Sequence, residues 1–294
     1  MISVQEFVDK IWESPLDSTI ELPDELQRIL ENEGNNELEA LSLVEKILPR
    51  VRQIILEKIQ VCDRKRVTPN FRFSDYSNNR LVGILILQKE EQQKQKLRHR
   101  KELHTVINKL KWDRFEDLCV YTLTLIGFEK YSVGQRTQDG GLDFFGLYPM
   151  QIISSYGGFL TDLNLRVFGQ AKHYNGSTVG AKEIHAFYCQ FKEDFLYEKG
   201  RAYEHINLEA KWFLDARGPI VPMMITNGHF TRVAEEFAGR KGIIIREGSQ
   251  IVEDIIQLSK TDIWLNAEKG KYIFDATKLE TFLEIWGKDH IHIG

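Results

Sequence analysis

The chain has 294 residues, 42% of them hydrophobic, which is enough for two soluble cores of unequal size. With 39 basic and 43 acidic residues the net charge is −4, and that balance argues against a protein that coats nucleic acid over its whole surface. The three cysteines, Cys62, Cys119 and Cys189, are odd in number and show no CxxC spacing, so they indicate neither a disulfide framework nor a zinc site and fit a reducing cytosol.

Charge is unevenly spread. Residues 1–47 hold 12 acidic and 3 basic side chains, which leaves a net +5 for the remainder and assigns any polyanion binding to the C-terminal two-thirds. The amino terminus has no basic region followed by an apolar core. The longest aliphatic patch, near Leu81 to Leu87, is too short to span a bilayer, so the expectation is a cytoplasmic chain that makes no use of the membrane.

In chain order, residues 1 to about 62 read as helices: Val4, Phe7, Val8 and Ile11 first, a second stretch opening near Pro23, then Leu48, Val51, Ile55 and Ile59 after a break at Pro49. A loop follows from Val67, then a strand over Leu81 to Leu87. The polar run at 88–102 reads as a linker, helical or flexible, and the basic residues between Lys89 and Lys111 are either its solvated face or a contact to a nucleic-acid backbone. Trp112, Phe115, Cys119, Leu123 and Ile126 recur at three- and four-residue steps, giving a helix over 110–126 with Glu116 on the edge of its core-facing stripe.

Strands are then expected at about 131–137, at 142–147 and at 165–172, with an excursion around Gly157-Gly158 between the last two. The Asn175-Gly176 turn leads to a helix over 180–195 capped by Ser177 or Thr178, whose Ile184, Phe187 and Phe191 face the core. A helical stretch over 198–215, a strand over 219–225, a helix over 229–240, a strand over 242–246 and a helix over 248–258 complete the order. The tail from Asp262, with Trp264, Tyr272, Phe274, Phe282 and Trp286, reads as a strand and a helix. The fold class is therefore α/β, a mixed sheet flanked by helices and preceded by a mainly helical domain. The expected boundaries are 1–95 for a recognition or partner-binding domain, 96–260 for a catalytic domain and 261–294 for an extension.

Three short pieces carry chemistry: Trp112-Asp113-Arg114-Phe115-Glu116 on a helix, Gln138-Asp139-Gly140-Gly141-Leu142-Asp143 at a strand start, and Gln170-Ala171-Lys172 on another strand. Gln170 and Lys172 are two apart and project from one face, with Ala171 on the other. Any one of these pieces is ordinary. In this order they resemble the Mrr-like restriction endonuclease catalytic domain of the PD-(D/E)XK nuclease superfamily, in which glutamine replaces the usual acidic residue of the last motif. The likeness extends over roughly residues 98–258, including Pro219 to Thr231 and Gly242 to Ile245. The segment before it does not resemble the winged-helix domain that some of these proteins carry.

The resemblance implies a metal-dependent DNA endonuclease acting in restriction of foreign DNA, with Mg2+ as cofactor and Mn2+ as a substitute. It makes Glu116, Asp143, Gln170 and Lys172 the catalytic set. Asp143, the Gln170 side-chain oxygen, the Ala171 carbonyl and Glu116, directly or through water, would hold the metal. Magnesium needs only one or two carboxylates beside water and substrate phosphate, which suits so small a donor set. Lys172 would orient the attacking water or stabilise the phosphorane. Asp139 reads as a turn residue or a support to that set. Arg136, His173 and Lys182, with His185, flank the expected cleft as phosphate contacts, although His173 points away from Lys172.

Two rival readings stand beside this one: a non-cleaving DNA-binding or assembly subunit on a nuclease fold, which the neutral Gln170 permits, and a nuclease acting on RNA or branched DNA. One catalytic centre addresses one scissile phosphate, so cutting both antiparallel strands implies a homodimer or a larger assembly, or another defence subunit as partner.

Overall fold

The computed structural model describes residues 3–74, 77–88, 90–134, 142–150, 163–174, 177–197, 211–268 and 271–290. The chain divides into two compact units, Met1–Arg98 and His99–Gly294.

The first unit opens with α1 (Val4–Trp12), started by a capping box in which the Ser3 hydroxyl accepts from the Glu6 N–H and the Glu6 carboxylate accepts from the Ser3 N–H. The short strand β1 (Thr19–Glu21), α2 (Leu22–Asn32) and α3 (Glu37–Arg64) follow. The expected break at Pro49 does not occur, and α3 runs through it. Proline removes one backbone donor, but Val44 before it and Val51 and Ile55 after it are all buried, and that shared apolar face keeps both halves on one axis.

Strands β2 (Phe71–Ser74) and β3 (Ser77–Gly83) join β1 in an antiparallel sheet of order β1-β3-β2, so the unit is helical with a small sheet. The strand expected over Leu81–Leu87 stops at Gly83 and gives way to α4 (Ile84–Leu87). The Gly83 and Leu85 N–H groups donate to the Ser18 and Leu16 carbonyls, which takes the chain out of the ladder there. The unit closes with α5 (Glu91–Arg98).

The second unit begins with α6 (Arg100–Lys109) and α7 (Trp112–Leu125). It continues through β4 (Lys130–Val133), β5 (Phe144–Pro149), β6 (Asn164–Lys172), the two-residue β7 (Thr178–Val179), α8 (Ala181–Phe191) and a π-helical turn, Lys192–Tyr197. Then come α9 (Lys211–Asp215), β8 (Ile220–Thr226), β9 (His229–Phe230), α10 (Arg232–Lys241), β10 (Ile244–Arg246) and α11 (Gly248–Leu258). The helix expected at 180–195 starts at Ala181 after Thr178–Val179 has paired in parallel with His229–Phe230. Its first turn is closed by the Gly180 N–H donating to Glu183, while the Ser177 hydroxyl donates to the Tyr174 carbonyl, so neither Ser177 nor Thr178 is the cap. The Gly157-Gly158 excursion and residues 198–210 of the expected helical stretch lie outside the described residues.

The expected mixed sheet flanked by helices is present, as five strands in the order β10-β8-β6-β5-β4. Neighbours β4, β5 and β6 are antiparallel, and β6, β8 and β10 are parallel. The parallel crossovers need helices, and α8 and α10 supply them. Phe145, Phe168 and Met224 point to a core shared with Ile184, Phe187, Phe191 and Phe213, the α8–α9–α10 side. On the opposite side α7 packs on β4, β5 and β6, and α6 and α11 pack beside it.

The C-terminal segment forms a hairpin, β11 (Leu265–Glu268) and β12 (Lys271–Phe274), and then α12 (Ala276–His290). Tyr121 of α7 meets Phe282 and Trp286 edge-on at 4.9 and 5.3 Å, and Tyr131 of β4 stacks on Trp286 at 5.7 Å. The aromatic tail therefore completes the second unit.

Gly169, in the middle of β6, shows how closely the α7 side is packed. A Cβ there would lie 1.9 Å from the Phe144 ring, and Phe144 is fully buried. Overpacking of this kind costs about 1–3 kcal/mol. Gly169→Ala is expected to lower the thermal midpoint by several degrees, measured by calorimetry. An unchanged midpoint would show that the ring has room to move.

Candidate active site at the end of the central strands

Strand alternation sorts the candidate side chains. Phe145 and Phe168 face the α8 side, so Asp143, Gln170 and Lys172 share that side, while Ala171 and His173 fall on the α7 side. The antiparallel register pairs Phe144 with Gly169, and the Asp143 N–H donates to the Gly169 carbonyl at 3.0 Å, which sets Asp143 beside Gln170 just beyond the ladder. Asp143 Oδ2 then accepts the Ala171 N–H at 2.7 Å. A side-chain oxygen thus takes the place that the next backbone carbonyl would hold.

Burial pushes the Asp143 carboxyl above its ordinary value, and the Ala171 N–H and the Lys172 ammonium both act against that rise. Among the described residues no donor is placed on Oδ1. Gln170 is only 8% exposed, yet its amide makes no side-chain hydrogen bond among the described residues. Asp143 Oδ1 and the Gln170 amide oxygen thus lie on one face of the sheet.

Glu116 is half-buried on α7, the helix that covers the opposite side of the sheet. Its carboxylate and that of Asp143 both act on a third group: burial pushes the Cys119 thiol far up, and Asp143, Glu116 and Asp117 add to that rise in this order. Both carboxylates therefore lie within electrostatic reach of one fully buried sulfur. Cys119 was legible in the sequence only as a core residue. Trp112, expected at the head of the same buried stripe, is 56% exposed, because the stripe starts one turn later at Phe115.

The remaining candidates are spread apart. His173 packs its ring 5.1 Å from Phe115 and against the Ile107 and Asn108 backbone, with Nε2 buried and without a partner among the described residues; burial pushes its pKa down. Lys182 is exposed in the first turn of α8, on the layer that covers the Gln170–Lys172 side. His185 is exposed on the same helix, 3.7 Å from the Cys189 sulfur. Arg136 and Asp139 lie outside the described residues. Two residues without an assigned role in the sequence reading, Thr226 and Asn227, are fully buried where β6 and β8 end. Their signal was a Thr-Asn-Gly triplet closing an apolar strand.

With this geometry in view, residues 107–201 match the Mrr catalytic family, described as restriction endonuclease. That segment is a restriction-endonuclease domain. It covers 95 of the 294 residues and includes Glu116, Asp143, Gln170 and Lys172. Comparison with curated proteins gave no match.

Among solved structures, the chain is similar to the DNA modification-dependent restriction endonuclease AspBHI, with 14% identity and a TM-score of 0.41 over 65% of this chain and 40% of that one. It is similar to the MspJI restriction endonuclease in complex with a 27-mer oligonucleotide, at 16% identity and a TM-score of 0.39 over 69% and 39% of the two chains. For the restriction endonuclease FokI bound to DNA the values are 12% and 0.37, over 86% and 44%. The chain thus spans less than half the length of each. Among the described residues no helix is long and apolar enough to cross a membrane, and no group of three or more His, Cys, Asp or Glu side chains is placed to hold a metal ion.

The raised Asp143 pKa has a consequence for stability. A carboxyl whose folded pKa exceeds its unfolded one contributes stability below the unfolded value and loses it as pH rises through the folded value. In chelator-treated protein at neutral pH, the charged Asp143 therefore costs stability. Asp143→Asn, which keeps an oxygen for the Ala171 N–H, is expected to raise the melting temperature at pH 7, with the gain vanishing below about pH 4. A variant that melts at or below the wild type at pH 7 would contradict this electrostatic reading.

Proposed function

We propose that this chain is a divalent-metal-dependent DNA endonuclease, with Mg2+ as its ion and Mn2+ as a substitute, working in the cytoplasm in restriction of foreign DNA. The observation that carries the reading is the pair of oxygen-bearing side chains on one sheet face, the half-buried Asp143 carboxylate held by the Ala171 N–H and the Gln170 amide beside it, with the Lys172 ammonium close by and all three inside the segment that matches a restriction-endonuclease domain.

The donor set fits a hard cation. Asp143 Oδ1, the Gln170 amide oxygen and the Ala171 carbonyl would hold it, with Glu116 acting from α7 directly or through water. When bound, such an ion supplies Lewis acidity and a more acidic water. So few protein ligands leave room for water and a substrate phosphate. The Ala171 N–H fixes one Asp143 oxygen and thereby aims the other.

In the reaction, a water oxygen forms a bond to phosphorus as the bridging P–O bond breaks, and the leaving oxygen takes up a proton. Lys172 would supply the compact cation that orients that water and stabilises charge on the pentacoordinate phosphorus. Glu116, from the other layer, adds the negative charge that the neutral Gln170 lacks. Lys182 and Arg136 are assigned to the path of the phosphate backbone, whereas His173, with its ring packed on Phe115 and Nε2 buried, is not. Two centres in a homodimer, or one centre beside another subunit, would address the two strands of a duplex.

Asp143→Ala and Lys172→Ala are each expected to lower cleavage of plasmid by at least about 100-fold while leaving duplex affinity within a few-fold of wild type. The assay compares plasmid, linear duplex, single strands and RNA, with Mg2+ and with chelator. Cleavage by either variant at the wild-type rate would remove these residues from the site. Cleavage of RNA alone would move the substrate, and binding without any cleavage would leave the chain a DNA-binding subunit.

A further inference from the structure

The candidate site has a support that neither the motif nor the family match assigns. Strand β6 ends at Lys172, opposite Thr226 of β8. Beyond that pair the ladder stops, so the Lys172 carbonyl and the Tyr174 N–H need partners from elsewhere. Two fully buried side chains provide them: the Thr226 hydroxyl donates to the Lys172 carbonyl at 2.9 Å, and Asn227 Oδ1 accepts the Tyr174 N–H at 2.7 Å.

Hydrogen-bond direction then propagates. Because Tyr174 offers a backbone donor, the Asn227 oxygen must face it, and the Asn227 amide nitrogen is turned to Asn108 Oδ1 at 3.1 Å. The Asn108 nitrogen in turn lies 3.2 Å from His104 Nδ1. Burial and the neighbouring His229 push the His104 pKa down, so the neutral ring can accept this bond. Asn108 is in the last turn of α6, four residues before the start of α7, which carries Glu116.

The clamp is itself held. The Gly228 N–H donates to Thr226 Oγ1 at 3.1 Å, and a Cβ on Gly248 would lie 2.2 Å from the Asn227 carbonyl, so the start of α11 has to be bare for the turn to seat. A lysine ammonium rides on four flexible carbons, and its reach is set by the backbone beneath it.

We infer that Thr226 and Asn227 are positioning residues: they extend the β6–β8 ladder with side chains, fix the backbone on both sides of His173, and join the strand bearing Lys172 to α6, the helix that leads into the one bearing Glu116. The inference rests on the nuclease reading above.

The test uses the full chain. Thr226→Val, which keeps the shape and removes the hydroxyl, and Asn227→Ala are expected to lower the single-turnover cleavage rate by about 10- to 100-fold. The dissociation constant for duplex DNA is expected to stay within about twofold, and Thr226→Ser to keep near-wild-type rates. Independently of activity, hydrogen exchange at the Tyr174 amide should accelerate in Asn227→Ala. If Asn227→Ala does not fold, Thr226→Val and its serine counterpart decide alone.

A valine variant that is merely less stable yet cleaves at the wild-type rate would overturn the inference, as would a loss that serine fails to restore. If the wild type cleaves no nucleic acid, the nuclease reading falls and this inference with it. An active wild type with indifferent variants sinks the clamp alone.

Discussion

One hydrogen bond organises the second unit's active end: the Ala171 N–H donating to Asp143 Oδ2 at 2.7 Å. It lies where the antiparallel half of the sheet meets the parallel half, on β6, the strand shared by both. The bond substitutes a carboxylate for a backbone carbonyl in the ladder, so the charge is held by main-chain geometry, which is stiffer than any side-chain contact. Burial raises the cost of that charge, and the fold leaves the second carboxylate oxygen and the Gln170 amide without partners among the described residues. A carboxyl perturbed by burial beside a lysine is the kind of group that clusters at functional sites.

The central sheet acts as a partition. Asp143, Gln170 and Lys172 lie on the side covered by α8, and Glu116 comes from α7 on the other side. Convergence is possible only at the sheet's end, where no further strand residue separates the layers. That explains why the buried contacts of this region are polar: Thr226 and Asn227 close β8, and Asn108 links them to α6. The α7 and β4 layer is buttressed from outside by α12, whose Trp286 packs on Tyr121 of α7 and Tyr131 of β4.

Much of this was legible in the sequence because it rests on local period and composition. Phe144-Phe145 and Val167-Phe168 read as strands since both faces of a central sheet are buried, and Ile184, Phe187 and Phe191 mark the inner face of α8. The face shared by Gln170 and Lys172 followed from a period of two. What failed depended on distant neighbours. Pro49 does not break α3 because apolar burial on both sides outweighs one lost donor, and Leu85 leaves the strand because the Leu16 carbonyl takes its N–H. Trp112 fits the helical period but lies one turn beyond the surface that could cover it. Thr226 and Asn227 gave no periodic signal at all, since their partners are backbone groups more than fifty residues away.

The central claim is that the Asp143–Gln170 face is a cation site. Anomalous diffraction from crystals soaked in Mn2+ tests it most directly. The account predicts a peak about 2.0–2.4 Å from the Asp143 carboxylate, adjoining the Gln170 amide oxygen and the Ala171 carbonyl, and no such peak in Asp143→Ala crystals. A manganese ion bound elsewhere, with Asp143 further away than a water bridge, would contradict it.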